Sequence, residues 1–114
     1  MQKKIISYYD FDKIDIRLGT IIEAKNYDDL KKPSILLKID FGDYLGIKKS
    51  SAQIRKNYQV ANLINKQVIA VVNFKPKQIG KITSEVLVLG LPDLNNEPIL
   101  LSPDIELKNG IKLY

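Results

Sequence analysis

The chain has 114 residues, of which 45% are hydrophobic and 27% are charged, and its formal net charge is +5. This length and composition are typical of one globular unit, so we expect residues 1–114 to form a single domain. The sequence contains no cysteine and no histidine, which excludes thiol nucleophiles, disulfides, Cys/His zinc sites and Ser-His triads. Its carboxylates and lysines form no catalytic motif and no Gly-rich phosphate loop. We therefore expect a protein that is not an enzyme and that has no metal and no nucleotide cofactor.

Long apolar stretches are absent from the sequence. No segment approaches the roughly 20 apolar residues that a membrane-spanning helix needs. The first residues lack the apolar core and the small-residue cleavage site of a signal peptide. We expect a cytoplasmic protein without membrane insertion.

The positive charge is concentrated in one stretch of the chain. Residues 44–84 contain no Asp or Glu, and they contain eight basic residues: Lys48, Lys49, Arg55, Lys56, Lys66, Lys75, Lys77 and Lys81. If this stretch folds onto one face, it forms a basic patch suited to phosphates. The alternative is a lysine-rich surface that serves solubility.

The first half of the chain shows the alternating pattern of β-strands. Residues 15–25 predict a half-buried strand with Ile16, Leu18 and Ile22 on its core side and with a bulge or bend at Gly19. Residues 35–41 alternate again. The pair Gly42-Asp43 then predicts a hairpin turn into a third strand at residues 44–48.

The second half adds one helix and more strands. Residues 60–66 predict a short helix, residues 67–74 and 84–91 predict two strands, and residues 98–101 predict a further short strand. Five strands with a helix between the third and the fourth predict an all-β fold, a five-stranded Greek-key barrel of the OB type with N- and C-terminal extensions. An SH3-like barrel or a small open sandwich has similar local patterning, but the position of the helix favours the OB-fold.

Three lysines separate the last two long strands. Lys75, Lys77 and Lys81 lie in a segment that has no acidic residue until Glu85. Pro76 fixes its own φ angle, which stiffens the turn and lowers the entropy lost when the neighbouring ammonium groups are presented. Such a turn is suited to binding phosphates, and the alternative is an ordinary solvated loop.

Two polar residues flank this segment and each allows two interpretations. The amide of Asn73 can contact a phosphate or a base edge, or it can close the end of its own strand onto backbone. The carboxylate of Glu85 can accept from an amine of a base, or it can form an ion pair with Lys77 or Lys81.

Four further residues are candidates for RNA contacts. Ser51, Gln53 and Ser84 can donate to phosphate or sugar, although serines at strand ends also cap backbone. Arg17 is expected to point outward, where it can bind phosphate in a bidentate manner or pair with Asp15.

Three segments carry a resemblance to a known family. The runs DIRLGTI at 15–21, SSAQI at 50–54 and VVNFKPKQIGKITSEVLVLG at 71–90 resemble, in this order, the tRNA-binding domain family, most closely its short bacterial CsaA-type members. The resemblance extends over nearly the whole chain. It implies an OB-fold, homodimers in the stand-alone members, and tRNA recognition by shape and backbone. For CsaA-type members it also implies a chaperone role in protein export. Glu85, Val86 and Leu87 follow Ser84 as in those members, whereas domains appended to aminoacyl-tRNA synthetases tend to have a small residue and a methionine.

The distribution of apolar residues predicts a homodimer. The strand at 84–91 is apolar on both faces, with Val86 and Val88 on one side and Leu87, Leu89 and Leu91 on the other. The terminal segments add more apolar residues, which need a second copy unless they wrap around their own barrel.

Two functions follow from these observations. The first is a non-catalytic, homodimeric protein that binds folded tRNA through a basic face. Few aromatic residues lie in the basic stretch, which favours a folded RNA over a single strand stacked on exposed rings. The alternative is a chaperone that binds unfolded or pre-export polypeptides.

Overall fold

The computed structural model describes residues 2–28 and 31–114 as nine strands and three short helices. In chain order these elements are α1 (Tyr8–Asp12), β1 (Ile16–Tyr27), β2 (Ser34–Asp40), α2 (Gly42–Leu45), β3 (Ile47–Ala52), α3 (Val60–Leu63), β4 (Gln67–Val71), β5 (Lys77–Ile79), β6 (Ile82–Ser84), β7 (Leu87–Val88), β8 (Gly90–Pro92) and β9 (Pro98–Leu100). Five strands form one antiparallel sheet in the order β3-β2-β1-β4-β7, while β5 pairs with β6 and β8 pairs with β9. Within these described residues, no helix is long and apolar enough to cross a membrane.

The long strand β1 changes partners next to Gly19, at Thr20. Its first residues pair with β4, and from Thr20 onward it pairs with β2. A Cβ atom at Gly19 would lie 2.6 Å from Ile39 Cγ2 and 2.7 Å from Phe41 Cδ1. Because glycine has no side chain, the strand can approach the core closely here. The irregularity that the sequence predicted at Gly19 lies two residues further along the strand.

A β-bulge follows two residues later and changes which side chains face the core. The register of β1 against β2 shifts between Ile21 and Glu23. Ile21 is completely buried, whereas Ile22 is 41% exposed. The prediction that Ile22 faces the core is therefore wrong, because an extra residue in the bulge interrupts the alternation on which it depended.

The connection between β2 and β3 is longer than the sequence predicts. The two strands do form an antiparallel pair. However, the helical turn α2 occupies the place of a two-residue turn, and β3 begins at Ile47 rather than at residue 44. The carboxylate of Asp40 accepts the N–H of Gly42 at 2.8 Å, and Gly42 has a φ of 88° that favours glycine. This side-chain bond stabilises the longer turn.

A seam between β3 and residues 84–86 closes the sheet into a barrel. The backbone N–H of Glu85 donates to Lys49 O at 2.8 Å, and the N–H of Lys49 donates to Glu85 Oε1 at 3.0 Å. The buried hydroxyl of Ser50 donates to Val86 O at 3.2 Å. The strand predicted at 84–91 is broken because its residues change partners, from β5 to β3, then to β4 and finally to β9. The all-β, OB-like fold that the sequence predicts is confirmed.

The core fills this barrel, and the C-terminal segment covers part of its outside. Isoleucine, leucine and valine side chains dominate the core, together with Phe41. Residues 107–113 run beside β1, where the N–H of Leu18 donates to Ile111 O at 3.1 Å and the N–H of Leu113 donates to Ile16 O at 2.9 Å. The C-terminal segment therefore extends the sheet on the side of β1 that β2 leaves open.

Candidate nucleic-acid interface

A groove of about 1480 Å³ lies beside the barrel seam. Residues 50–56, 74–79 and 84–88 line it, together with residues 96–98 at the turn between β8 and β9. Lys32 and Pro33 reach the groove from the connection between β1 and β2. The groove therefore collects side chains from five separate stretches of the chain.

Positive charge predominates along this groove. Two of the lining residues are acidic, Glu85 and Glu97, and five are basic: Lys32, Arg55, Lys56, Lys75 and Lys77. Within residues 2–28 and 31–114, the four lysines make no ion pair, whereas Arg55 pairs with Asp28. Unpaired ammonium groups beside a concave surface attract polyanions.

The segment around Pro76 presents its lysines as the sequence predicts. Lys75 and Lys77 are both exposed and both line the groove. Lys77 begins β5, where it pairs with Ser84 of β6. Lys81 is also exposed, but it lies in the turn between β5 and β6 and does not line the groove. The structure thus brings two of the three lysines to the groove.

Ser84 and Glu85 contribute to the barrel seam. The hydroxyl of Ser84 accepts the N–H of Ser51 at 3.1 Å, and it lies 3.4 Å from Val86 O. Glu85 accepts the N–H of Lys49 rather than pairing with Lys77 or Lys81, so the expected ion pair is not formed among the described residues. Both residues still line the groove, as do Ser51 and the exposed Gln53.

Asn73 lies outside the residues that line the groove and closes the end of its strand. Its Oδ1 accepts the N–H of Asp15 at 2.9 Å, and its Nδ2 donates to Lys13 O at 2.8 Å. These bonds join residue 73 to the segment that precedes β1. Of the two interpretations of Asn73, its contacts correspond to the closing of the strand end onto backbone.

Arg17 is also occupied by contacts within the chain. Its Nε donates to Asp15 Oδ1 at 2.7 Å, and its Nη1 donates to Gly110 O at 3.0 Å. The guanidinium therefore pairs with Asp15, as one interpretation predicted, and fastens the C-terminal segment to β1. Arg17 does not line the groove.

Sequence reasoning missed Lys32, Arg55, Lys56 and Phe74 as residues of the groove. Arg55 and Lys56 belong to the acid-free stretch, so their charge was visible, but nothing distinguished them from the other basic residues there. Phe74 is 55% exposed and provides an aromatic surface next to Lys75. Lys32 carried no sequence signal, because it reaches the groove only through the pairing of β1 with β2.

An acidic side chain shapes the turn at the end of the groove. The carboxylate of Asp93 accepts the backbone N–H of Glu97 at 2.9 Å, the side-chain N–H of Asn57 at 2.9 Å and the N–H of Asn95 at 2.8 Å. These donors, with that of Glu97 the strongest, hold the pKa of Asp93 below its ordinary value. The turn between β8 and β9 is thereby fixed against residue 57. Among the described residues, no group of three His, Cys, Asp or Glu side chains is placed to hold a metal ion.

Comparisons with known proteins agree on the kind of domain. The family described as "Putative tRNA binding domain" matches residues 16–112. A methionine–tRNA ligase of Pyrococcus horikoshii is 34% identical over 112 residues, which are 98% of this chain but 15% of that protein. This chain thus spans about one-seventh of the length of the ligases it matches.

Solved structures of stand-alone proteins match the chain from end to end. The crystal structure of the chaperone CsaA of Bacillus anthracis superimposes with a TM-score of 0.90 at 45% identity, covering 97% of this chain and 100% of that one. The CsaA chaperone protein of Picrophilus torridus gives a TM-score of 0.89 at 51% identity, covering 96% and 100% of the two chains. Both similarities extend over the barrel and the groove.

Proposed function

Because this chain belongs to the tRNA-binding domain family, we propose that it binds folded tRNA in the groove beside its barrel seam and carries out no catalysis. The observation that carries this proposal is the set of lysines in the groove that have no ion pair among the described residues. A tRNA partner places the protein in the cytoplasm, and binding needs no metal or other cofactor from the protein.

Contacts to the RNA backbone provide most of the affinity in this proposal. Lys75 and Lys77 act as point charges toward phosphates, and Ser51 and Gln53 also line the groove, where they can donate to phosphate or sugar. Lys81 reaches the RNA from the tip of its hairpin. RNA contacts stay predictions for four residues whose side chains already bond within the chain: Arg17, Asn73, Ser84 and Glu85.

A homodimer is the second part of the proposal. Leu91 is 62% exposed and does not line the groove, whereas Val86 and Val88 pack on the core. The C-terminal segment does lie along its own barrel, yet Ile111 and Leu113 remain 40% exposed each. Apolar side chains left exposed in this way support burial against a second copy, which would place two basic grooves on one particle.

The dimer is tested by light scattering after size exclusion. We expect the mass of two chains at micromolar concentration, and we expect Leu91→Lys to give the mass of one chain. Ala61→Lys is the matched control, since this residue is also exposed and a helical surface tolerates lysine. A wild-type mass of one chain would remove the dimer from the proposal.

The tRNA partner is tested by the dependence of binding on salt. If the dimer contacts about six to ten phosphates, affinity for total tRNA should fall by about 10³ to 10⁵ between 50 and 200 mM salt. The double variant Lys75→Ala, Lys77→Ala should lower the slope of log K against log salt by about one for each lost contact. Lys25→Ala, Lys108→Ala is the matched control, because both lysines are exposed but do not line the groove. Binding that does not respond to salt, or equal slopes in the two double variants, would contradict the proposed site.

A second candidate function is the binding of unfolded polypeptide. The groove also has an apolar wall, which includes Phe74, Leu87, Val88, Pro98 and Leu100. The stand-alone proteins that resemble this chain are described as chaperones. An apolar segment bound against this wall would depend little on salt, so titration with a labelled unfolded protein at the same two salt concentrations separates the two functions.

A further inference from the structure

Arg55 differs from the other cations of the groove because its charge is already neutralised. Its guanidinium donates from Nη1 to Asp28 Oδ1. In the part of the chain that the structure describes, Lys32, Lys56, Lys75 and Lys77 have no such partner. The arginine, which is the cation best shaped to bind a phosphate in a bidentate manner, is thus the one that a carboxylate occupies.

The two partners differ in how firmly the fold holds them. The side chain of Arg55 is 32% exposed and lies on the wall of the groove, in the connection between β3 and α3. The side chain of Asp28 is 70% exposed, follows the end of β1, and does not line the groove. Within the described residues, the carboxylate of Asp28 has Arg55 as its one hydrogen-bond partner. The carboxylate of Asp28 can therefore turn into the solvent, while the guanidinium of Arg55 stays at the groove.

We propose that Arg55 is a phosphate-binding residue of the groove and that Asp28 is a built-in competitor, which an RNA phosphate displaces. This inference rests on the proposed function. Carboxylate and phosphate oxygens present similar acceptors to a guanidinium, so the exchange preserves the hydrogen bonds of Arg55. A polyanion that contacts several lysines at once gains the effective concentration needed to displace Asp28, whereas an isolated anion does not. The ion pair thereby favours RNA over small anions.

The exchange predicts effects of opposite sign for the two partners. Exposed ion pairs contribute little, so removing the competitor with Asp28→Asn should tighten tRNA binding by about two- to fivefold. Arg55→Gln, which keeps most of the aliphatic stem, should weaken binding and lower the salt slope by about one. If the pair only fastened the connection between β1 and β2, Asp28→Asn would show no gain beyond the general effect of removing one negative charge, which Glu23→Gln measures.

The experiment is a fluorescence anisotropy titration of labelled total tRNA at 50 and 200 mM salt. The proteins are the wild type, Asp28→Asn, Arg55→Gln, the double variant of these two positions, and Glu23→Gln. Glu23 is a matched control because it is an exposed carboxylate paired with Lys38 at 3.3 Å, and neither residue lines the groove. We expect the gain in tRNA affinity to be larger in Asp28→Asn than the small gain in Glu23→Gln. This difference should disappear when Arg55 is also replaced.

Three results would overturn the inference. These are a gain in Asp28→Asn no larger than in Glu23→Gln, a change of the same sign in Asp28→Asn and Arg55→Gln, or a gain that persists without the arginine. Failure of this inference can be distinguished from failure of the proposed function. If the wild type binds tRNA with a steep salt dependence and Asp28→Asn matches Glu23→Gln, only the exchange is wrong. If the wild type shows no salt-dependent binding, the groove is not an RNA site.

Discussion

Replacement of Glu85 by alanine should loosen the seam that closes the barrel. In the structure, Glu85 Oε1 accepts the backbone N–H of Lys49 at 3.0 Å, while the N–H of Glu85 donates to Lys49 O at 2.8 Å. The alanine variant keeps the second bond and loses the first. Water can partly replace the lost acceptor because the bond is exposed, so we expect the free energy of unfolding to fall by about 1 kcal/mol.

Urea unfolding followed by far-UV circular dichroism measures this loss. With a slope of about 1–3 kcal/mol per molar urea, the midpoint should fall by about 0.3–1 M. Glu85→Gln retains a side-chain oxygen that can accept from Lys49, so its midpoint should fall by less than half as much. Glu97→Ala removes the other carboxylate of the groove, whose side chain makes no hydrogen bond among the described residues, and it should leave the midpoint nearly unchanged. If Glu85→Ala and Glu97→Ala behaved alike, the seam would not depend on this carboxylate.

Two further predictions concern the close packing at Gly19 and the turn between β8 and β9. Gly19→Ala should destabilise the fold by about 1–3 kcal/mol, since its Cβ would lie 2.7 Å from Phe41 Cδ1. An unchanged urea midpoint would show that the core accommodates the added methyl group without loss of stability. The pKa of Asp93 is lowered from an ordinary value of 3.8, so the folded state binds its proton less readily than the unfolded state. Its contribution to stability is therefore complete above pH 3.8 and is lost as the pH falls toward the lower folded pKa. Asp93→Asn should remove this part of the acid dependence in urea midpoints measured between pH 2 and 5, and an unaltered pH profile would contradict the assignment.

The sequence predicted the strands of the five-stranded sheet and one of the three helices, because strand and helix periodicity are local properties. It did not predict α1, α2 or the hairpin of β5 and β6. Alternation located β1 and β2, and a short apolar spacing located α3 between β3 and β4. It failed where a strand departs from regular geometry, as at the bulge between Ile21 and Glu23. It also failed in residues 84–91, which read as one strand but bond in succession to β5, β3, β4 and β9. The residue pattern of one strand contains no information about which strand it pairs with.

For the candidate site, the sequence by itself determined which residue types are present and in what order. The acid-free stretch and the stiff turn around Pro76 predicted an anion-binding surface, provided that the stretch folds onto one face. The charges and the fixed φ angle of the proline follow from residue type alone.

Only the tertiary structure decided which side chains remain available to a ligand. Glu85 bonds across the barrel seam to a residue 36 positions away, and Asn73 bonds to residues 58 and 60 positions away that precede β1, so both side chains are already occupied. Asp28 neutralises Arg55 across 27 positions, whereas Lys32 joins the groove from a connection outside the basic stretch. Such contacts depend on strand register and on where the sheet closes. The free energy that sets them comes from the burial of the whole core, which no short stretch of sequence contains.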